Sequence, residues 1–396
     1  MNLTKNYKTK SEIVDKKMPR IVGNNQHKGK HIIALDGGYS SVKGVSPDRI
    51  FMFPSYAKRI DKELEAVSTI KSTDIQFKNN KTGEIWLVGE TAQSLMTKND
   101  LDATTDASIY TRYRYHSEIY KVIMATGLAI GCIGAGDNEI YLQTGLPSAY
   151  KERDEGKLIK ALADDYDISV KIGSNAWLKF KFTLPEDHIY VMEQPQGTLC
   201  GCAYGANGVT QSGVEILTSN VIILDVGFGT EDTFSIKSGY RNRKPETYAD
   251  TGMKSVFENM INELQKSYSD YLIDTKVFEL QNYLEAGHIS VLDPETIQLV
   301  QIDFGNFLDN ENKKLCEKSV KRLMQDYDNL LDYKYLIVTG GTGESRFEQI
   351  KNMLKGISTL KVLPGNINYP DLSFCYCNVL GYYAYRHAKF LKEEKQ

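Results

Sequence analysis

The chain has 396 residues, too many for one average domain and enough for two lobes with their own cores. Hydrophobic residues at 41%, charged residues at 25% and a net charge of −3 are ordinary globular values, which exclude a partner recruited by bulk charge. The first thirty residues depart from that average: eight Lys or Arg stand against Glu12 and Asp15, without apolar periodicity, and residues 1–30 therefore read as a basic, flexible N-terminal arm.

No apolar run follows the early lysines, so no signal peptide is expected. The longest uncharged stretch, residues 122–136, is too short and too rich in glycine for a membrane span, and a soluble cytoplasmic protein is expected. Six cysteines occur as Cys132, Cys316 and the pairs Cys200/Cys202 and Cys375/Cys377. Their spacing is not that of a zinc site and their neighbours are apolar, so they read as buried small hydrophobes.

The body opens with "HIIALD", "SVKGVSP" and "RIFMFPS", then two extended runs around Asn79, Asn80 and Gly83, a pattern that predicts an antiparallel meander. Residues 116–132 carry apolar side chains at helical spacing and predict a core-facing helix. "EIYLQTGLP" reads as a short buried strand, "KERDEGKLIKALADDY" as an exposed helix and "WLKFKFTLPEDHIYVMEQ" as strand. A helix is then expected after Pro195, ending near Tyr204, where "GANG" stops it.

The second half repeats the plan. "NVIILDVGFGTEDTFSIKSG" is again an apolar strand, an aspartate, glycines and a polar strand, followed by the helical "MKSVFENMINELQ". Residues 268–330 are expected to be mostly helical and charged. "YKYLIVTGGTGE" is a third apolar strand ending in glycines, and "SFCYCNVLGYYAYRHAKFLKEEKQ", residues 373–396, reads as a terminal helix. A duplicated strand, carboxylate turn and strand, near 32–45 and 221–236, predicts two similar lobes facing one cleft.

Each hairpin tip offers backbone N–H groups freed by glycine, able to approach phosphate oxygens closely. Two such tips would clamp a triphosphate, with Asp36 and Asp225 opposed across it, where carboxylates hold a magnesium ion directly or through water. Lys43 supplies a positive charge on the returning strand, and Ser40 and Ser41 supply hydroxyl donors. "VTGGTGES", residues 338–345, lacks the third glycine of a dinucleotide fingerprint, and no P-loop pattern occurs; the glycine pair instead suits a base and ribose lying close to the backbone.

These residues resemble the actin and heat-shock-type ATPase superfamily over roughly residues 31–390. "DGGYSSVKG" looks like its first phosphate loop, "DVGFGTED" like the second and "IVTGGTGE" like the adenosine motif, while "FPS", "VGETA", "TGLP" and "NVLGYY" look like the bacterial actin-like branch. Within it, the chain is most similar to the plasmid-partitioning, ParM-like proteins. The resemblance implies an α/β, two-lobed actin-like ATPase fold, duplicated ribonuclease-H-like domains around a nucleotide cleft. Lobe I is expected over 31–205, lobe II over 206–372, and helix 373–392 is expected to pack back on lobe I.

It also implies ATP or GTP with Mg2+ as ligands, held by Gly37, Gly38, Tyr39, Ser40, Ser41 and Lys43, by Gly227, Phe228, Gly229 and Thr230, and by Gly340, Gly341, Thr342 and Glu344. Lys254 and Glu258 are candidate ribose contacts, weighed against a solvated helix face. Asp36 and Asp225 would hold the metal. Hydrolysis would be completed by a polar residue that positions water: counting back from Tyr204 places Gln196 there, with Glu193 and Gln194 as alternatives, Glu193 also suiting a helix N-terminal cap. The implied partners are further copies of the chain in a head-to-tail filament and a DNA-binding, ParR-like adaptor on a centromere-like plasmid site, with no direct sequence-specific DNA binding and no membrane. A small-molecule phosphotransferase of the same fold and a shape-determining bacterial actin homologue are the alternatives. "YTRYRYH", residues 110–116, interleaves aromatics and arginines as single-strand nucleic-acid surfaces do, but reads better as an exposed lead-in to the next helix.

Overall fold

A computed structural model describes residues 3–15, 27–61, 70–97, 112–242 and 246–395. Two sheets of the same topology organise it. In lobe I the strands Arg49–Pro54, Ser41–Ser46, Lys30–Gly37, Glu139–Leu146 and Ile189–Glu193 lie side by side in that order. The first three are antiparallel and the last three parallel. Lobe II repeats the arrangement with Tyr240–Arg241, Glu231–Lys237, Val221–Val226, Tyr335–Thr339 and Lys361–Pro364.

The central strand of each sheet is apolar on both faces because both faces are covered. Ile33 and Leu35 enter the core beneath helix Glu118–Gly131, whereas Ile32 and Ala34 face the opposite core, against helix Cys377–Glu393. In lobe II, Ile222, Leu224 and Val226 face helices Gly305–Asp326 and Gly341–Leu354, and Val221 and Ile223 face helix Gln194–Ala203. The two-residue period of a strand makes this division. The C-terminal helix thus lies on lobe I, and helix Gln194–Ala203 runs between the lobes.

Four expectations are corrected. The hairpin around Gly83 does not extend the first meander: Ile75–Asn79 and Ile85–Val88 join Ala57–Ile60, Asp164–Ile172 and Leu178–Leu184 in a second, antiparallel sheet of lobe I. "DDY" opens a strand there, because Tyr166 packs into the lobe I core. Residues 268–330 contain a hairpin, His288–Leu292 with Leu299–Asp303, whose Ile289, Val291 and Ile302 alternate inward. Finally, residues 3–15 are not a loose arm. They form a short 3-10 helix, Leu3–Tyr7, and a strand, Glu12–Asp15, that pairs with Arg49–Pro54; residues 16–26 lie outside the described part.

Five cysteines are buried and Cys375 is half-buried, none in a disulfide among the described residues. No helix of the described residues is long and apolar enough to cross a membrane.

Candidate active site

Both glycine turns open into one cavity of about 250 Å3 between the lobes, lined by Asp36, Gly38, Tyr39, Ser40, Ser41 and Lys43 from lobe I and by Asp225, Gly227, Phe228, Gly229 and Thr230 from lobe II. The first turn is shaped by its own backbone. A side chain on Gly38 would place its Cβ 2.7 Å from Lys43 Nζ and 2.8 Å from the Ser41 carbonyl, so only glycine lets the chain reverse there with the lysine folded over it. Asp36 and Lys43 are cross-strand partners, and their charges stand 3.5 Å apart. Ser55 Oγ donates to the Gly38 carbonyl at 2.8 Å and holds the loop from behind.

Arg114 supports the same loop. It is 4% exposed, donates to the Gly37 carbonyl and lies over the Tyr39 ring, 4.1 Å from its centroid. The expectation that residues 110–116 form an exposed lead-in is therefore corrected for Arg114 and Tyr115, both buried; Tyr110 and Thr111 lie outside the described residues. The two turns are in contact, since a Cβ on Gly229 would fall 2.5 Å from the Tyr39 ring.

Asp225 is enclosed on the opposite side. Asn378, from the C-terminal helix, donates to its Oδ2 at 2.6 Å, and Thr198 in turn donates to Asn378 at 2.7 Å. Burial first, then the neighbouring charge of Asp232, pushes the Asp225 carboxyl up to about 7. Asp232 is raised to about 6, mainly by burial, although it accepts hydrogen bonds from Thr230 at 2.8 Å, from Thr247 and from the Ser148 backbone at 2.9 Å. Gly340, at φ +83, presses against this carboxylate: a Cβ there would lie 2.5 Å from Asp225 Oδ1. The helix Gly341–Leu354 starts at this point, so its unpaired N–H groups face the cavity through Gly341 and Thr342.

The three candidates for positioning water separate. Gln194 lines the cavity and donates to Asp36 Oδ1 at 3.1 Å. Glu193 turns away and pairs with Arg241 of lobe II at 2.8 Å; it is the N-cap residue of its helix but makes no side-chain cap bond. Gln196 is half-buried and not part of the cavity wall. Lys254 and Glu258 also stay off the wall, paired with each other at 2.7 Å, while Met253 lines it; the backbone N–H of Lys254 hangs that helix from the Phe228 carbonyl at 2.8 Å. Glu344 reaches the cavity but is engaged in holding Ser373 and the Phe374 backbone.

Sequence reasoning missed Asp232, Asn378 as a partner of Asp225, Arg114, and the cavity-lining Asn6, Tyr7, Lys8 and Thr9. Asn378 lay in a quoted motif, and Arg114 in the aromatic-arginine run; residues 6–9 carry no local signal. Among the described residues no three His, Cys, Asp or Glu converge as a metal site of their own.

Two sheets with the same strand order, a helix between them and a cavity at the paired turns define a duplicated, two-lobed α/β fold. Residues 34–197 match the family described as "Actin like proteins N terminal domain". Over 92% of this chain and 99% of the other, the fold is similar to a non-polymerisable quadruple mutant of pCBH ParM, with TM-score 0.68 and 20% identity. Apo pSK41 ParM is similar over 93% of this chain and 100% of its own, with TM-score 0.61 and 18% identity. The Alp12 filament structure aligns over 91% and 99%, with TM-score 0.54 and 15% identity. At such identities the likeness is one of fold. No curated protein matches the chain by sequence.

Proposed function

We propose that this protein is a nucleotide-driven, filament-forming actin-like ATPase of the plasmid-segregating type. The observation that carries the reading is the convergence of two glycine turns, Asp36 with Lys43 and Asp225 with Asn378, on one cavity that ends at a helix N-terminus. That arrangement suits a nucleoside triphosphate: backbone N–H groups and Lys43 for the phosphates, the glycine pair at 340–341 for the nucleoside.

Gln194 is the residue best placed to orient water, being hydrogen-bonded to Asp36 within the cavity. A carboxyl held near neutrality, such as Asp225, shifts to its charged form beside a cation. With Mg2+ bound through water at Asp36 and Asp225, the ion would neutralise charge on the phosphates. Lys43 and the turn backbones fix the phosphate chain, and Asn378 fixes the orientation of Asp225.

Filament formation, a ParR-like adaptor, plasmid cargo and a cytoplasmic location are inferred from the kind of protein named in the likenesses, a ParM mutant made non-polymerisable and an Alp12 filament. A head-to-tail contact that does not close builds a helical filament, whose lattice nucleotide hydrolysis would weaken through the angle between lobes.

The test is right-angle light scattering with parallel phosphate release after adding Mg-ATP or Mg-GTP. A cooperative rise above a critical concentration, followed by phosphate release, is expected. Steady turnover with no rise would favour a phosphotransferase of the same fold, and the absence of both scattering rise and phosphate release would overturn the reading.

A further inference from the structure

The N-terminal segment contributes residues 6–9 to the cavity wall and is fastened to both lobes. On lobe II, Thr4 Oγ1 donates to the Leu284 carbonyl at 2.6 Å, Lys8 pairs with Glu285 at 2.9 Å, and the Thr9 N–H donates to the buried Gln281 at 3.1 Å. On lobe I, Ser11 donates to Glu90, the strand Glu12–Asp15 extends the sheet, and Glu12 accepts from Tyr376 at 2.9 Å. Between these anchors Tyr7 enters the cavity wall. Its hydroxyl accepts from Asn312 at 3.1 Å, and Asn312 accepts from Arg346 at 2.8 Å, both members of that chain being buried. A tyrosine at the end of a buried polar chain has a defined position, since its ring packs on the lobe II core while its face borders the cavity beside Met253 and Ser345.

We infer that residues 6–9 belong to the nucleotide site, Tyr7 forming the wall against which the nucleoside end rests, and that residues 3–15 clasp the two lobes over the bound nucleotide. The inference rests on the nucleotide reading above. Asn312 donates to both the Tyr7 hydroxyl and Ser345 Oγ, at 3.1 and 3.4 Å, which ties Tyr7 to the helix whose first residues, Gly341 and Thr342, line the cavity; the clasp therefore governs retention and choice of nucleoside rather than hydrolysis. Because the segment holds one lobe by backbone pairing and the other by side chains, separating the lobes breaks the weaker lobe II contacts first.

The experiment is stopped-flow release of mant-ATP from the full-length protein with Mg2+, chased with unlabelled ATP, for wild type, Tyr7→Ala and Tyr7→Phe. Tyr7→Ala is expected to release the probe about 2- to 10-fold faster, the range of one aromatic contact, with Tyr7→Phe close to wild type because the ring is kept. An unchanged or slower release from a cooperatively melting Tyr7→Ala would overturn the inference, the slower result meaning that the segment obstructs the site. If Tyr7→Ala does not fold, the charge exchange decides: Lys8→Glu should speed release and Lys8→Glu with Glu285→Lys should restore it, whereas equal rates in all three refute the clasp. Wild type that retains neither mant-ATP nor mant-GTP would defeat the nucleotide reading and the clasp together; wild-type retention with unaltered variants would defeat the clasp alone.

Discussion

Asp225 has an ordinary carboxyl value of 3.8 raised to about 7 by burial and by Asp232, so the folded protein binds this proton more tightly than the unfolded chain. Its contribution to stability is therefore present below about 3.8 and lost as pH rises through about 7. Asp225→Asn removes that loss. The variant should melt higher than wild type at about pH 8 in the nucleotide-free state, the gap narrowing as pH falls and closing only below about 3.8, while phosphate release disappears. Equal pH dependence of the two melting temperatures would place the charge cost elsewhere. Gln194 and Gln196 separate in the same way: Gln194→Ala should lower turnover by about 10- to 100-fold, as loss of a positioned water does, and Gln196→Ala should leave turnover near wild type. The reverse order in a single-turnover assay would return the role to Gln196. The local sequence held both glutamines as candidates, but a strand-to-helix junction decides which points inward, and residue counting cannot resolve one position.

Helix Gln194–Ala203 has little intrinsic reason to propagate, with Gly197 and Gly201 within it, although Pro195 suits its first turn. Its glycines instead permit a close crossing with the C-terminal helix, Cys377–Glu393: a Cβ on Gly381 would stand 1.6 Å from the Gly197 carbonyl, and one on Gly197 only 2.4 Å from the Tyr382 ring. Gly381→Ala must push the helices apart. It is expected to cost at least about 1–3 kcal/mol in urea unfolding and to disturb Gln194 and Asn378 together. An unchanged midpoint would show that the crossing has slack. At this scale the buried strands and amphipathic helices were legible, whereas the hairpin His288–Leu292 with Leu299–Asp303 was not, because its outward-facing Leu292 and Leu299 break the polar alternation on which a strand is read.

Across the whole molecule the polar links that join the lobes include Asp232 to the Ser148 backbone, Thr247 to the Ala149 backbone, Asn378 to Asp225, Glu193 to Arg241, and the N-terminal clasp. Glu193 is buried and its carboxyl is raised, first by burial, with Arg241 opposing that shift. Arg241→Ala leaves the carboxylate without its cation. The half-exposed arginine limits the loss to about 1–2 kcal/mol near neutral pH, and it should shrink as acid protonates Glu193. Urea midpoints at two pH values check this, and an unaltered midpoint would make the pair a surface contact. The duplicated topology was legible in advance because each lobe writes its own strand, carboxylate turn and strand.

The sequence by itself determined the repeat, the central strands and the two aspartate-glycine turns. These are local features: hydrophobic period, glycine and a carboxylate lie within a dozen residues of one another. Only the tertiary structure decided which glutamine faces Asp36, that Arg114 props the first turn, that Asn378 holds Asp225, and that residues 3–15 cross the cleft. Those arrangements join segments separated by tens to hundreds of positions, and their side chains are polar residues that would be equally soluble in water. Hydrophobic patterning carries no record of where such a group ends up; only packing of the lobes, and the cost of leaving a buried polar group unpaired, selects the partner.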